Sequence, residues 1–196
     1  MKDRQPDRDL MWEEISCEHI IQDEWIDFRK SAYRLPDGSV FEPFYSYSRR
    51  NFAVIVATDT DGNYICVRQY RYGIHAVTTE FCAGGIERTD GKEYGEGGDG
   101  ASEDALAAAK RELEEETGYV SEEWRHLFTV GAQPTIADNY AYIFEAKNCV
   151  NTKDRHLDET EFLNVTLIPR TELEELIRNG GFQQPIHILG YLLSQR

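Results

Sequence analysis

The sequence predicts an α+β protein: a mixed β-sheet sandwiched between helices, with a small N-terminal antiparallel β-sheet. Three stretches carry that expectation. Aromatic-rich, strand-like runs flank Pro36-Asp37-Gly38, and Phe52–Ala57 and Tyr64–Tyr70 are apolar runs around an Asp59-Thr60-Asp61-Gly62-Asn63 turn. The residues from Glu103 to Thr117 are mostly Ala, Leu, Glu, Lys and Arg, all good helix formers.

In chain order, residues 1–11 (MKDRQPDRDLM) read as a frayed polar end with no apolar core of a signal peptide. Residues 12–48 read as an N-terminal β-sheet subdomain with strands around Ile15–Ile21, Trp25–Leu35 and Ser39–Tyr47, the last two joined at the Pro-Asp-Gly turn. Three strands make too small a core to stand alone, so this sheet is expected to pack on something else. Residues 49–196 form the main domain, and Phe52–Ala57 with Tyr64–Tyr70 gives it a buried hairpin. Val77–Phe81 begins a further strand that ends at Ala83-Gly84-Gly85.

The helix over Glu103–Thr117 is expected to start at Ser102 as N-cap and to end at Gly118 in the left-handed conformation. Leu106, Ala109, Leu113 and Thr117 fall at the spacing of its buried stripe. Strands over Trp124–Ala132, Tyr140–Ala146 and Glu161–Ile168 follow. Then come a helix over Thr171–Asn179, capped by Thr171 and stopped by Gly180-Gly181, and a last helix over Gln184–Ser194 with Ile186, Ile188, Leu189, Leu192 and Leu193 as its apolar positions.

Net charge is −15, with 36 acids against 21 bases, which argues against nucleic acid and anionic membrane as partners. No run of the chain has the length and apolarity of a membrane span. Cys17, Cys66, Cys82 and Cys149 are dispersed and read as free thiols in a reducing cytoplasm; the five histidines show no zinc spacing.

Chemistry concentrates in the long helix. Glu112 and Glu116 lie four apart and Glu112 and Glu115 three apart, so their carboxylates converge on one patch of helix surface. Like charges so placed repel, and a cation relieves them. Oxygen donors without Cys or His point to magnesium or manganese. The series Gly97, Glu103, Arg111-Glu112-Leu113, Glu115-Glu116, Gly118 and Tyr119 resembles the Nudix box, the signature of hydrolases acting on a nucleoside diphosphate linked to another moiety. The last position is usually aliphatic in that family, and here it is Tyr119.

Two further segments are similar to the ADP-ribose pyrophosphatase branch: Val67-Arg68-Gln69-Tyr70-Arg71-Tyr72, and Glu80-Phe81-Cys82-Ala83-Gly84-Gly85-Ile86-Glu87, in which Cys82 stands for the usual Pro. The resemblance runs over about residues 30 to 190. There are two departures. Gly84 matches the first glycine of the box better than Gly97 does, which makes Ile86–Ser102 an insertion. The segment Pro134-Thr135-Ile136-Ala137-Asp138-Asn139 lacks the Gly-Phe and the final Glu frequent in that branch, which leaves the terminal moiety of the substrate open.

The resemblance implies a Nudix fold and a magnesium (or manganese) enzyme that cleaves ADP-ribose or another nucleoside diphosphate sugar. It implies metal ligands Glu112, Glu115, Glu116 and Glu161 with the Ala83 carbonyl, and an Arg111 that orients carboxylates. Glu116, Glu159 and Glu161 all stand as candidates for the general base. Arg71 is the first choice for a diphosphate clamp, with Arg68 and Arg49 or Arg50 behind it. Glu80 is a candidate for contact with the metal shell or a ribose, and Trp25, Phe28 and Tyr47 for stacking a purine. The implied partners are a small-molecule nucleotide sugar and a second copy of the chain, paired through the N-terminal sheet. Two other readings stand beside this one: a nucleotide-sugar-binding module without turnover, and a Nudix enzyme acting on modified nucleoside triphosphates.

Overall fold

The computed structural model describes residues 6–23, 25–87, 104–152 and 162–196. Where the sequence reads as frayed there is one 3-10 turn, Asp7–Leu10. Strands β1 (Glu13–Gln22), β2 (Asp27–Arg34) and β3 (Val40–Ser48) then form an antiparallel three-stranded sheet in that order. The β2–β3 turn is the Pro-Asp-Gly one: Gly38 sits at φ 86° and the Asp37 carboxylate accepts from Ser39 N at 2.9 Å.

The second sheet has seven strands. Six run in the order β10-β5-β6-β4-β9-β7, and β8 pairs with β9. They are β4 (Phe52–Asp59), β5 (Tyr64–Arg71), β6 (Ala76–Gly85), β7 (Tyr119–Val120), β8 (Glu123–Gly131), β9 (Tyr140–Asn151) and β10 (Leu163–Ile168). The β4–β9 pair is parallel. The β4–β5 hairpin is paired only next to its turn, at Ala57 with Ile65 and Thr58 with Tyr64. Beyond that it opens and β6 enters the gap, with Ala76–Phe81 on β5 and Cys82–Gly85 on β4. The splay delivers the C-terminal end of β6 to the middle of the sheet.

The apolar run of β4 is buried on both faces. Ala53, Ile55 and Ala57 pack with Ala109 and Leu113 of helix α1 (Ala105–Thr117). Val54 and Val56 pack with Leu173 of α2 (Arg170–Arg178) and Tyr191 of α3 (Pro185–Ser194). Gly190 lets α3 approach closely, since a Cβ there would lie 3.0 Å from Ile143 Cγ2 and Val56 Cγ2.

The loop between β8 and β9 ties the small sheet to the large one. Tyr47 N donates to Ile136 O at 2.9 Å, Asp138 accepts from Ser48 Oγ at 2.5 Å and pairs with Arg29 at 3.1 Å, and Asn139 Nδ2 donates to Arg50 O at 3.1 Å. Ile136, Asp138 and Asn139 of this loop therefore fasten the N-terminal sheet in place.

Several element ends differ from the sequence reading. Helix α1 begins at Ala105, and its N-cap is Asp104, not Ser102: Asp104 Oδ1 accepts from Leu106 N at 2.9 Å and Ala107 N at 3.2 Å. Asp is as good a cap as Ser, and its position sets the first turn two residues later. Helix α2 begins at Arg170 with Pro169 as N-cap and no side-chain cap, so Thr171 lies within the first turn. Pro169 is extended, at φ −61° and ψ 150°, and has no N–H or hydroxyl to offer the helix start. Strand β9 runs on to Asn151 because β7 and β8 both pair with it. Gly118 does end α1 in the left-handed region, at φ 73°.

Candidate active site

Helix α1 lies against the end of β6, and the contact is made where a side chain is missing. A Cβ on Gly84 would fall 1.9 Å from Cδ of Glu112 and about 2 Å from both its oxygens, which are at 2.1 and 2.2 Å. Only glycine admits the carboxylate there. Gly84 is the glycine that the sequence reading preferred as the first of the box; Gly97 lies outside the described residues.

Arg111 organises the carboxylates from the other side. Its Nη1 donates to Glu112 Oε1 at 2.9 Å and to Glu115 Oε2 at 3.0 Å, and its Nη2 donates to Gly85 O at 3.0 Å. One guanidinium joins two acids of α1 to the β6 backbone. Glu116 is buried at 3 % exposure, one turn beyond Glu112. Glu103, Glu159 and Glu161 lie outside the described residues.

Beside this contact is a pocket of about 440 Å³. Ala83, Gly84 and Gly85 of β6 line it together with Arg71 of β5, His187 of α3, and Gln184 just before that helix. Trp25, Arg49, Arg50, Phe52 and Asn139 line it as well, with Arg50 Cδ 3.7 Å from where a Cβ on Gly85 would lie. Arg50 lies over the Trp25 ring at 5.9 Å.

Arg71 is held by Glu80, whose side chain is fully buried. Arg71 Nε donates to the two Glu80 oxygens at 2.9 and 3.0 Å, and Nη2 donates to Oε2 at 2.5 Å. Thr78 Oγ1 also donates to Glu80. Burial alone pushes the Glu80 carboxyl up, but the Arg71 and Thr78 hydrogen bonds outweigh it and hold the group below its ordinary value. The hydrogen bonds to Glu80 likewise hold Arg71 above its ordinary value.

Of the residues singled out for substrate, Arg71, Arg49, Arg50 and Trp25 border the pocket. Glu80 stands behind Arg71 as its anchor. Arg68 is exposed on β5, away from the pocket lining. Phe28 stacks on Tyr45 at 5.7 Å across β2 and β3, and Tyr47 bonds to Gln133, so neither ring lines the pocket.

Sequence reasoning passed over His187 and Gln184. His187 is 4 % exposed and its Nδ1 accepts from Phe81 N at 3.2 Å. Burial, with Arg71 nearby, pushes its pKa down to about 4 although Glu80 acts the other way. The signal was a single His among the apolar residues of α3.

The NUDIX domain family model matches residues 48–187. The chain belongs to the NUDIX family. It is 28 % identical over 166 residues to the ADP-ribose pyrophosphatase of Bacillus subtilis (strain 168), covering 84 % of this chain and 82 % of that one. To the methanol dehydrogenase activator of Bacillus methanolicus it is 27 % identical over 165 residues, with the same coverage. A crystal structure of an ADP compounds hydrolase shares the fold at a TM-score of 0.75 and 19 % identity, over 94 % of this chain and 92 % of that one. As a NUDIX protein of the branch similar to ADP-ribose pyrophosphatases, the chain is a Nudix-type hydrolase with the expected α+β fold. Among the described residues, no helix is long and apolar enough to cross a membrane.

Two outcomes are expected. The atoms that a Gly84→Ala methyl meets are the far end of one side chain, so the fold survives while Glu112 is displaced. Hydrolysis should fall on the order of 100-fold with the melting temperature little changed, whereas Gly97→Ala should keep full activity; steady-state rates and thermal unfolding check both. Because folding holds His187 neutral and the unfolded chain does not, the unfolded state takes up more protons below pH 6.5. Stability should therefore fall as pH drops, by about 2 kcal/mol between pH 6.5 and 5 from this residue. Denaturant titrations at both pH values should show that increment removed in His187→Asn.

Proposed function

We propose that this NUDIX hydrolase cleaves the diphosphate of ADP-ribose or another nucleoside diphosphate sugar to a nucleoside monophosphate and a sugar phosphate, with magnesium or manganese as cofactor. The observation that carries the reading is the Glu112 carboxylate seated on Gly84 at the edge of a pocket that Arg71 enters from the side. The Bacillus subtilis relative, an ADP-ribose pyrophosphatase by name, supports the choice of substrate.

The donor chemistry fits a hard divalent cation: Glu112, Glu115 and Glu116 on α1 and the Ala83 carbonyl at the β6 end would hold it, and Gly84 leaves the room a side chain would fill. Among the described residues no three His, Cys, Asp or Glu close into a ready cage, and Arg111 spans Glu112 and Glu115 instead. Glu161, the remaining ligand candidate, belongs to the segment outside the described residues. When bound, magnesium neutralises the diphosphate and makes water more acidic.

The protein's own groups supply the rest. Arg71, fixed by Glu80, donates to non-bridging diphosphate oxygens. Arg111 keeps Glu112 and Glu115 in register with the β6 backbone. Water attacks one phosphorus in line, a new P–O bond forms, the bridging P–O bond breaks, and a carboxylate takes the proton of the water. Glu116 is the base candidate within the described residues, with Glu159 and Glu161 as the others. Trp25, carrying Arg50, offers a face for the purine.

The chain works as a homodimer through residues 12–48, joined to a hydrolase domain of residues 49–196. Strand β1 is exposed along its whole length, and Trp12, Ile15, Ile20, Ile21, Val40 and Phe41 leave the small sheet with apolar surface to cover. None of the four cysteines forms a disulfide among the described residues, which fits a reducing cytoplasm.

The test is hydrolysis of a panel of nucleoside diphosphate sugars and nucleoside triphosphates with magnesium. ADP-ribose or a related sugar should be preferred, and both Glu116→Gln and a chelator should cut the rate by at least about 100-fold. Preference for a triphosphate would replace the substrate. Tight binding without turnover of any compound would leave a sensor.

A further inference from the structure

The α3 side of the pocket contains two polar side chains, His187 and Gln184. The ring of His187 is fixed. It lies 6.3 Å from Phe81 and nearly parallel to it, and 6.4 Å from Phe182. Its Nδ1 accepts a backbone N–H, which only a neutral ring can do, so the single ring proton is on Nε2. No hydrogen bond to Nε2 is formed among the described residues, and the pocket is the open space that this buried ring borders. Gln184 is the N-cap residue of α3, and its amide reaches Glu80 Oε2 only at 3.4 Å. It keeps donors and an acceptor for a ligand.

This side of the pocket carries little net charge. Arg71 is neutralised by the carboxylate it grips, His187 is uncharged, and Gln184 is an amide. The cations of this lining without an acid partner among the described residues are Arg50, which lies over the Trp25 ring, and Arg49. A further phosphate group would need charged donors, whereas sugar hydroxyls are matched by neutral donors and acceptors.

We infer that His187 and Gln184 are specificity-determining residues that hydrogen-bond the hydroxyl oxygens of the sugar beyond the diphosphate, His187 through Nε2–H. The inference rests on the proposed hydrolysis in the same pocket and deepens it. It distinguishes nucleotide sugars from nucleoside triphosphates by the chemistry of one wall. A site built to pair hydroxyls loses affinity for a substrate that lacks them, because its own polar groups are then left unpaired.

The experiment compares ADP-ribose with ADP whose terminal phosphate carries a methyl ester in place of the sugar. Wild type, His187→Asn, His187→Gln and Gln184→Ala are assayed as full-length proteins with magnesium. Asparagine keeps an acceptor where Nδ1 receives the Phe81 N–H and removes the Nε2 donor; glutamine returns an N–H near the Nε2 position. His187→Asn and Gln184→Ala should each raise KM for ADP-ribose roughly tenfold with kcat nearly constant, and leave the methyl ester unaffected. His187→Gln should recover part of the loss. An equal loss on both compounds would assign these residues to the framework, and no change on either would remove them from the site; both results overturn the inference. If wild type hydrolyses neither compound, the proposed activity falls on its own. Calorimetric binding of the same two compounds to the same variants then decides: a selective loss for ADP-ribose upholds the inference, and its absence overturns it.

Discussion

Much of this molecule depends on the fit between Gly84 and the Glu112 carboxylate. A strand end and a helix flank normally keep a side chain between them. Here the strand gives up its Cβ, and an acid fills the space. Arg111 then bridges Glu112, Glu115 and the Gly85 carbonyl, turning a repelling cluster into a fixed array. The sheet prepares that fit, because the β4–β5 hairpin opens and β6 crosses from one strand to the other before it reaches Gly84. On the opposite face of the sheet, Gly190 lets α3 come close enough for the helix to close the pocket.

Charge is handled locally. A chain with net charge −15 repels a diphosphate at long range, yet Arg49, Arg50 and Arg71 line one pocket. Glu80 orients Arg71 at the cost of its net charge, so Arg71 serves as a directed hydrogen-bond donor more than as a bare cation. The proposed divalent ion supplies the positive charge that this arrangement lacks. The β8–β9 loop brings the N-terminal sheet against the same pocket, so Trp25, remote in sequence from α1, becomes part of the site.

Sequence reading was strongest where spacing dictates geometry. The α1 helix, its left-handed end at Gly118 and the buried run of β4 all follow from residue intervals and the limits of backbone conformation. It was weaker at helix starts, where Asp104 and Pro169 stand at the N-cap positions assigned to Ser102 and Thr171. Several residues compete for a cap, and only the three-dimensional path selects one. His187 and Gln184 were missed because their importance comes from tertiary placement, a ring locked by the Phe81 amide and an amide beside Glu80. Glu80 itself looked like a ligand-contacting acid, and only the fold shows it behind Arg71. Glu103, Glu159, Glu161 and the Ile86–Ser102 insertion beyond Glu87 lie outside the described residues.

The central claim is that the acids gathered on α1 against Gly84 hold a divalent cation. Electron paramagnetic resonance of manganese(II) added to the protein tests it without relying on turnover. Wild type should diminish the free-ion signal with a saturable site that Glu112→Gln removes, leaving only the weak background of an acidic surface. Indistinguishable titrations of the two proteins would contradict the account, because the carboxylate on Gly84 would then have no part in binding the ion.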